Sequence, residues 1–202
     1  MKVRPSRPKL IGAAGLPRSG KDTLAELLIE KGYFGVSLGD IVREVARKRH
    51  ADQADPISVA NMTETSNWLR QNKGADFALR QALTKFKKAK SQKDYKGLLV
   101  YSVRAPVEVD YIHAHSGQLI WVEADDMVRY QRAMAHRREG KAEISFDEFK
   151  TQESLQWKPQ PGIPKESQMN TGYVKKQADI FIENNGSDLE AFKKQIAQTL
   201  DP

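Results

Sequence analysis

The chain of 202 residues is 39% hydrophobic and 29% charged, with 33 basic against 26 acidic side chains and a formal net charge of +7. That composition supports one sizeable core rather than two, and no apolar run approaches the roughly 20 residues that a membrane-crossing helix needs. The absence of cysteine excludes disulfides and thiolate metal sites, and the basic start "MKVRPSRPK" lacks the apolar stretch of a secretion signal, so a cytoplasmic enzyme without a membrane partner is expected.

"KLIGAAG" (9–15) is short, small and apolar, as a fully buried parallel strand is. Next comes "KDTLAELLIEKG" (21–32), where Leu24, Leu27 and Leu28 share a helical face and Gly32 supplies a stop. "YFGVSL" (33–38) has β-forming composition, and "GDIVREVARKRH" (39–50) repeats the turn-into-helix pattern. Residues 51–88 show only helical patterns, near 57–71 and 74–88, bounded by Asp55-Pro56 and Lys73-Gly74, and read as a helical insert. Its "KFKKAK" (85–90) reads as a solvated helix end, where the dipole favours cations. "GLLVYSV" (97–103) and "QLIWVEA" (118–124) resume the strands, with a helix from Pro106 between them. Helices follow at about 126–138 and 145–154, and "QWKPQPGIPKESQ" (156–168) reads as a mobile or extended loop. "ADIFIENNG" (178–186) is the last strand, and "SDLEAFKKQIAQTL" (187–200) opens with a capping box from Ser187 to Glu190. This alternation implies a parallel sheet covered by helices on both faces, with ligands at the carboxyl ends of its strands.

"GLPRSGKDT" (15–23) lies where the first strand passes into the first helix. Backbone N–H groups of such a loop wrap around an anion, and the helix dipole adds to their pull. Gly15 and Gly20 supply conformational freedom and close approach, and Lys21 can reach the β- and γ-phosphates. A serine or threonine usually follows the lysine directly, yet here Asp22 stands between Lys21 and Thr23. With the spacing Gly-x4-Gly-Lys-x-Thr, the chain resembles the P-loop kinases of small phosphorylated metabolites, adenylate kinase and other nucleoside monophosphate kinases among them. "RSGKDT" is similar to the loop of bacteriophage deoxynucleotide monophosphate kinases. The resemblance implies an α/β chain with the three-layer α/β/α P-loop NTPase fold and a five-stranded parallel sheet. It implies one kinase domain over 1–202, with its core at 9–50 and 97–202, a helical acceptor-binding insert at 51–88 and a small lid at about 129–168. ATP and Mg2+ are the implied cofactors, bound by Gly15, Pro17, Arg18, Ser19, Gly20, Lys21, Asp22 and Thr23, with Thr23 at the α-phosphate.

"VSLGDIVRE" (36–44) is similar to the segment in which these kinases hold the acceptor's phosphate, which makes Arg43 an acceptor ligand and Asp40 a turn or helix-start residue of the acceptor site. "LLVYSVR" (98–104) takes the place of a strand-end Asp-Gly-x-x-Arg or Asp-Gly-x-Arg and assigns Arg104 to the same phosphate; a planar guanidinium suits either task. Where such kinases carry an aspartate that orients magnesium, this chain has Tyr101 and Ser102, poor ligands for a hard dication. Asp22 is therefore expected either to supply the magnesium carboxylate or to serve as a first-turn helix acid. "ADIFIENNG" with "SDLEAF" resembles the closing strand and helix of dephospho-coenzyme A kinases, whose turn lies beside the ATP base, and places Asn185 there. In "VRYQRAMAHRREGK" (128–141), Arg129, Arg132 and His136 share a helix face. By resemblance to the lid arginines of related kinases, Arg132 and then Arg137 are expected to act on the transferred phosphoryl.

His113 and His115 lack a third metal ligand and read as helix-end residues. Trp121 and Trp157 read as packing residues, as does Trp68, whose place in the insert also puts it within reach of an acceptor base. The implied activity is transfer of the γ-phosphate of ATP to a small phosphate-bearing acceptor, first a (deoxy)nucleoside monophosphate and second dephospho-coenzyme A. The central Asp-x-Pro-Leu motif of the second family is not found. The alternative of another class is a nucleotide-responsive binding protein, on RNA for example, with little or no kinase activity; Tyr101 and the net charge of +7 support it. Against it, no strand interleaves aromatic and basic residues, so nucleic acid is not an expected partner. The expected assembly is a monomer or a homodimer.

Overall fold

The computed structural model describes residues 9–136, 143–159, 161–162 and 164–200. Their strands are β1 (Leu10–Ala14), β2 (Phe34–Ser37), β3 (Leu98–Tyr101), β4 (Gln118–Glu123) and β5 (Ile180–Glu183). All pair in parallel, in the order β2-β3-β1-β4-β5. β1 thus has a neighbour at each edge and is buried along its whole length, the position that its small apolar residues suit. The pleat divides it between two cores. Leu10 and Ala14 join Leu98, Val100, Leu119 and Trp121 on one face, and Ile11 and Ala13 join Leu99, Ile120 and Val122 on the other.

Helices close both faces, giving the expected three-layer α/β/α arrangement. α1 (Lys21–Glu30) and α9 (Leu189–Leu200) bring Leu24, Leu28, Phe192 and Ile196 to the second core. α2 (Leu38–Arg49), α4 (Phe77–Lys90), α5 (Pro106–Ala114) and α8 (Thr171–Lys176) bring Ile41, Leu79, Ala82, Ile112 and Val174 to the first. α3 (Val59–Lys73), capped by the Ser58 side chain, packs on α2, whereas α4 lies against β2 and β3. The expected insert therefore divides: α3 stands off the sheet, and α4 belongs to its covering layer. No helix of the described residues is long and apolar enough to cross a membrane.

The chain after β4 departs furthest from the sequence reading. α6 (Asp126–Ala135) and α7 (Phe146–Trp157) are present, the latter opened by a capping box between Ser145 and Glu148. The expected loop is anchored at its described C-terminal end by a 3-10 turn over Lys165–Ser167 and by α8. α8 is six residues long, too short to develop an apolar period. Asn170 caps it through Tyr173 N, and Asn170 N donates to Arg104 O at 2.8 Å. At α9 the cap is Asp188, whose Oδ1 accepts from the N–H groups of Glu190 and Ala191 at 2.9 and 3.1 Å, and not the expected Ser187.

Arg129, expected on a basic lid face, is 1% exposed. Its guanidinium binds both carboxylate oxygens of Glu153 and one of Asp126, and its Nε donates to Ala124 O at 3.0 Å, which joins α6 to α7. Removing one member would leave a buried charge without its partner. Arg129→Met should therefore lower stability by about 3–5 kcal/mol in urea unfolding, and Arg129→Met with Glu153→Met should recover much of that loss.

Candidate functional site

The loop that leaves β1 is built around two glycines. A Cβ at Gly15 would come within 2.5 Å of Ser19 Oγ and 2.6 Å of Val122 O. Gly20 begins α1 at φ 106°, and a Cβ there would meet Asn184 Nδ2 at 2.3 Å. Neighbouring elements hold the loop backbone: Asn184 Nδ2 donates to Ser19 O at 2.8 Å, and Arg132 Nη1 donates to Arg18 O at 3.2 Å. Arg18 itself has φ 65°, a left-handed conformation that a non-glycine residue holds only when its surroundings fix it. Ser19 Oγ is buried and has no hydrogen-bond partner. A constrained backbone at a helix N-terminus, with an orphaned hydroxyl beside it, suits an oxygen-rich anion.

Next to the loop lies a cavity of ≈470 Å³. The register of β1 against β3 pairs Ala13 with Tyr101, so the loop after β1 and the segment after β3 open into the same space, at the carboxyl edge of the sheet. From the loop and α1 come Arg18, Lys21, Asp22 and Glu26; from α2, Asp40 and Arg43. Arg70 enters from α3, Tyr101 and Arg104 from the end of β3, and Gln156 from α7.

The cations have defined partners. Lys21 is buried, with its Nζ 3.7 Å from Asp22 Oδ2. Burial pushes its pKa below the ordinary lysine range, Asp22 opposes that shift, and Arg104 and Arg18 add to it. Arg43 pairs with Asp40 one turn away, and Asp40 N donates to Ser37 Oγ at 3.1 Å, placing Asp40 at the start of α2 as expected. Arg70 donates to Ser66 Oγ and, at 3.3 Å, to Glu108 Oε1. The other oxygen of Glu108 accepts from the backbone N–H groups of Arg104 and Ala105 at 2.7 and 3.0 Å. Arg104 Nη1 donates to Gln156 Oε1 at 2.5 Å, a neutral amide and not a carboxylate. Burial first, then Arg70, pushes the Arg104 pKa down, with Glu108 and Asp22 opposing. Tyr101 moves the other way, raised chiefly by burial, and lines the cavity as a neutral phenol.

Seven of the residues expected from the sequence, Pro17, Arg18, Lys21, Asp22, Asp40, Arg43 and Arg104, line this one cavity. Thr23 does not. Asn185 Oδ1 accepts from Asp125 N at 2.7 Å and its Nδ2 donates to Glu183 Oε1 at 2.7 Å, while its neighbour Asn184 reaches the loop. In extended chain a slip of one residue reverses the side on which a side chain lies. Arg132 faces the loop and the turn after β5. Its guanidinium donates to Arg18 O, to Asn184 O and Oδ1, and to Gly186 O, so it braces the loop against the turn after β5 and lines no part of the cavity. Arg137 lies outside the described residues. Trp68 packs under the Arg49 guanidinium at 4.0 Å, away from the cavity.

His113 contacts Asp179 at 3.1 Å and His115 stacks on Tyr111, and among the described residues no group of three or more acidic or histidine side chains could hold a metal. The sequence reading missed Arg70, Glu108, Gln156 and Asn184. Only Glu108 left a local signal, an acid in the first turn of the helix that Pro106 begins.

Residues 11–156 match the family model described as an AAA domain. A UPF0200 protein of Methanococcus vannielii is 31% identical over 143 residues, which cover 70% of this chain and 73% of that protein. A UPF0200/UPF0201 protein of Archaeoglobus fulgidus is 28% identical over 195 residues; these cover 95% of this chain but only 55% of the relative, about half its length. Among solved structures, shikimate kinase from Bacteroides thetaiotaomicron superposes with a TM-score of 0.55 at 10% identity, covering 96% of this chain and 98% of that one. The chain belongs to the AAA-domain family and is a relative of the UPF0200 proteins, and its fold is that of the P-loop kinases.

The position of Lys21 has a measurable consequence. The ammonium should be lost at lower pH than that of an exposed lysine, so affinity for inorganic pyrophosphate should decline early on the alkaline side. Asp22→Asn removes the charge that opposes this loss and should move the decline to still lower pH in calorimetric titrations. Stability has the opposite slope. The unfolded chain holds this proton more tightly, so the residue's contribution rises as pH climbs from the folded toward the unfolded pKa.

Proposed function

We propose that this P-loop kinase-like chain is a phosphotransferase that moves the γ-phosphate of ATP, taken up with magnesium, to a small acceptor already bearing a phosphate, foremost a (deoxy)nucleoside monophosphate. One observation carries the reading: Arg43, Arg70 and Arg104, from three separate elements, enter the same cavity as Lys21. Such transfer asks a protein mainly to align two anions and spread positive charge around them. Here the loop and Lys21 hold the donor's phosphates, and the three arginines hold the acceptor's. An acceptor phosphate oxygen attacks the γ-phosphorus, the bond from that phosphorus to the bridging oxygen breaks, and ADP leaves.

The residues present fit a magnesium ion held mostly by phosphate oxygens and water. Asp22 has an exposed carboxylate at the mouth of the loop, and Glu26 lies one helical turn further along the same cavity wall. When bound, the ion neutralises part of the triphosphate charge. Asp22 then has two duties, toward the metal and toward Lys21. The reading as a nucleotide-responsive binding protein rests on Tyr101 and Ser102 at the end of β3, where no carboxylate stands.

ADP release from ATP and magnesium, measured against a panel of nucleoside monophosphates and dephospho-coenzyme A, separates the readings. Acceptor-stimulated release that falls about a hundredfold or more in Lys21→Ala is expected. ATP binding that no acceptor turns into ADP release would overturn the kinase reading in favour of the binding protein. A second variant probes the acceptor grip. Gln156→Glu sets a carboxylate against Arg104 and should raise the acceptor KM about tenfold, leaving the KM for ATP unchanged.

A further inference from the structure

A second cavity, of ≈610 Å³, adjoins the first and shares Pro17, Arg18 and Gln156 with it. The two cavities are therefore neighbours at these residues. Their walls differ in kind. Charged side chains surround the first, whereas Ile57 and Val59 at the start of α3, Met134 near the end of α6, and Phe149 and Leu155 of α7 wall the second. Val59 is 38% exposed and Leu155 41%, apolar surface whose removal from water would favour a ligand. Ser58 and Gln152 stand among these apolar groups and offer hydrogen-bonding atoms, and Asp55, His136 and Glu153 line the cavity as well.

A mainly apolar wall interspersed with polar groups suits a heteroaromatic ring, and the volume falls in the usual range for small-molecule sites. The donor's base has a different place. By resemblance it belongs beside the turn after β5, and no described residue of that turn lines this cavity.

We infer that the second cavity receives the base of the acceptor nucleotide, so that the acceptor lies across both cavities with its phosphate among Arg43, Arg70 and Arg104. The sugar then passes Arg18 and Gln156, the side chains common to both walls. This inference rests on the kinase reading and narrows it: an anion alone is a poor acceptor, and the base supplies much of the affinity.

Ribose 5-phosphate, which keeps sugar and phosphate and lacks the base, is the discriminating probe. With ATP and magnesium, the best nucleoside monophosphate should have a KM about tenfold or more below that of ribose 5-phosphate. Ala60→Trp fills the cavity from an exposed position of α3, and Leu155→Asp makes its wall polar. Each should raise the monophosphate KM about tenfold and leave those for ribose 5-phosphate and ATP unchanged. Equal KM values for the two acceptors, or variants that leave the monophosphate KM unmoved, would overturn the inference while the kinase reading stands. Should no acceptor stimulate ADP release, that reading fails and calorimetry with the same monophosphates decides the cavity. Binding weakened about tenfold by Ala60→Trp keeps it as a base site, and binding that is absent or indifferent to the variant removes it.

Discussion

A loop that grips an anion through its backbone must be held in shape by the rest of the fold, and here that support comes through carbonyl oxygens. Asn184 holds the carbonyl of Ser19, and Arg132 holds that of Arg18 while also binding the turn at 184–186. The support comes from chain far away in sequence, which explains the close packing around Gly20: its missing Cβ is the space that Asn184 Nδ2 occupies. Any larger residue would displace both the helix start and the brace. The site thus depends on β5 and α6 as much as on the loop itself.

Crowding cations into one cavity raises the opposite difficulty, since like charges at close range in a poorly solvated space repel strongly. Three of them are set against carboxylates that belong to the same cavity wall: Lys21 against Asp22, Arg43 against Asp40, Arg70 against Glu108. Glu108 has a second task, because its other oxygen fixes the backbone from which Arg104 projects. Arg104 receives an amide partner instead. Arginine suits these positions because, unlike lysine, it stays charged when desolvated. Lys21, the cavity's lysine, is where the cost of burial shows as a readily lost proton.

The sequence disclosed what short-range patterns encode. A two-sided apolar strand, glycines flanking a turn, and helices with an apolar stripe located β1, the loop, α1 and the sheet order's raw material within a few residues. Arg104 was legible because it closely follows the end of β3, and Arg43 because it lies in the helix that β2 runs into, at the edge of the sheet where ligands bind. Arg70 sits in the middle of a helix with nothing local to distinguish it from a surface residue, and its partner Glu108 is 38 positions away. The contacts of Arg132 were hidden for a related reason. A helical period says which side chains share a face and leaves open what that face meets, and across from Arg132 stand the carbonyls of the turn after β5.

α7 shows the same limit in its strongest form. Its buried residues, Phe149, Glu153 and Gln156, fall at spacings of four and three and so make one face, yet two of the three are polar. An apolar period cannot reveal such a face, because its burial is driven by satisfied polar contacts. Glu153 neutralises Arg129 of α6, and Gln156 takes Arg104 on its side chain and Thr171 of α8 on its carbonyl. One helix therefore fixes the element that braces the loop, the arginine that follows β3, and the short helix missed in the sequence. A helix bound by charge and amide to both sides of the cleft holds them in a fixed relation where an apolar contact, indifferent to sliding, would not.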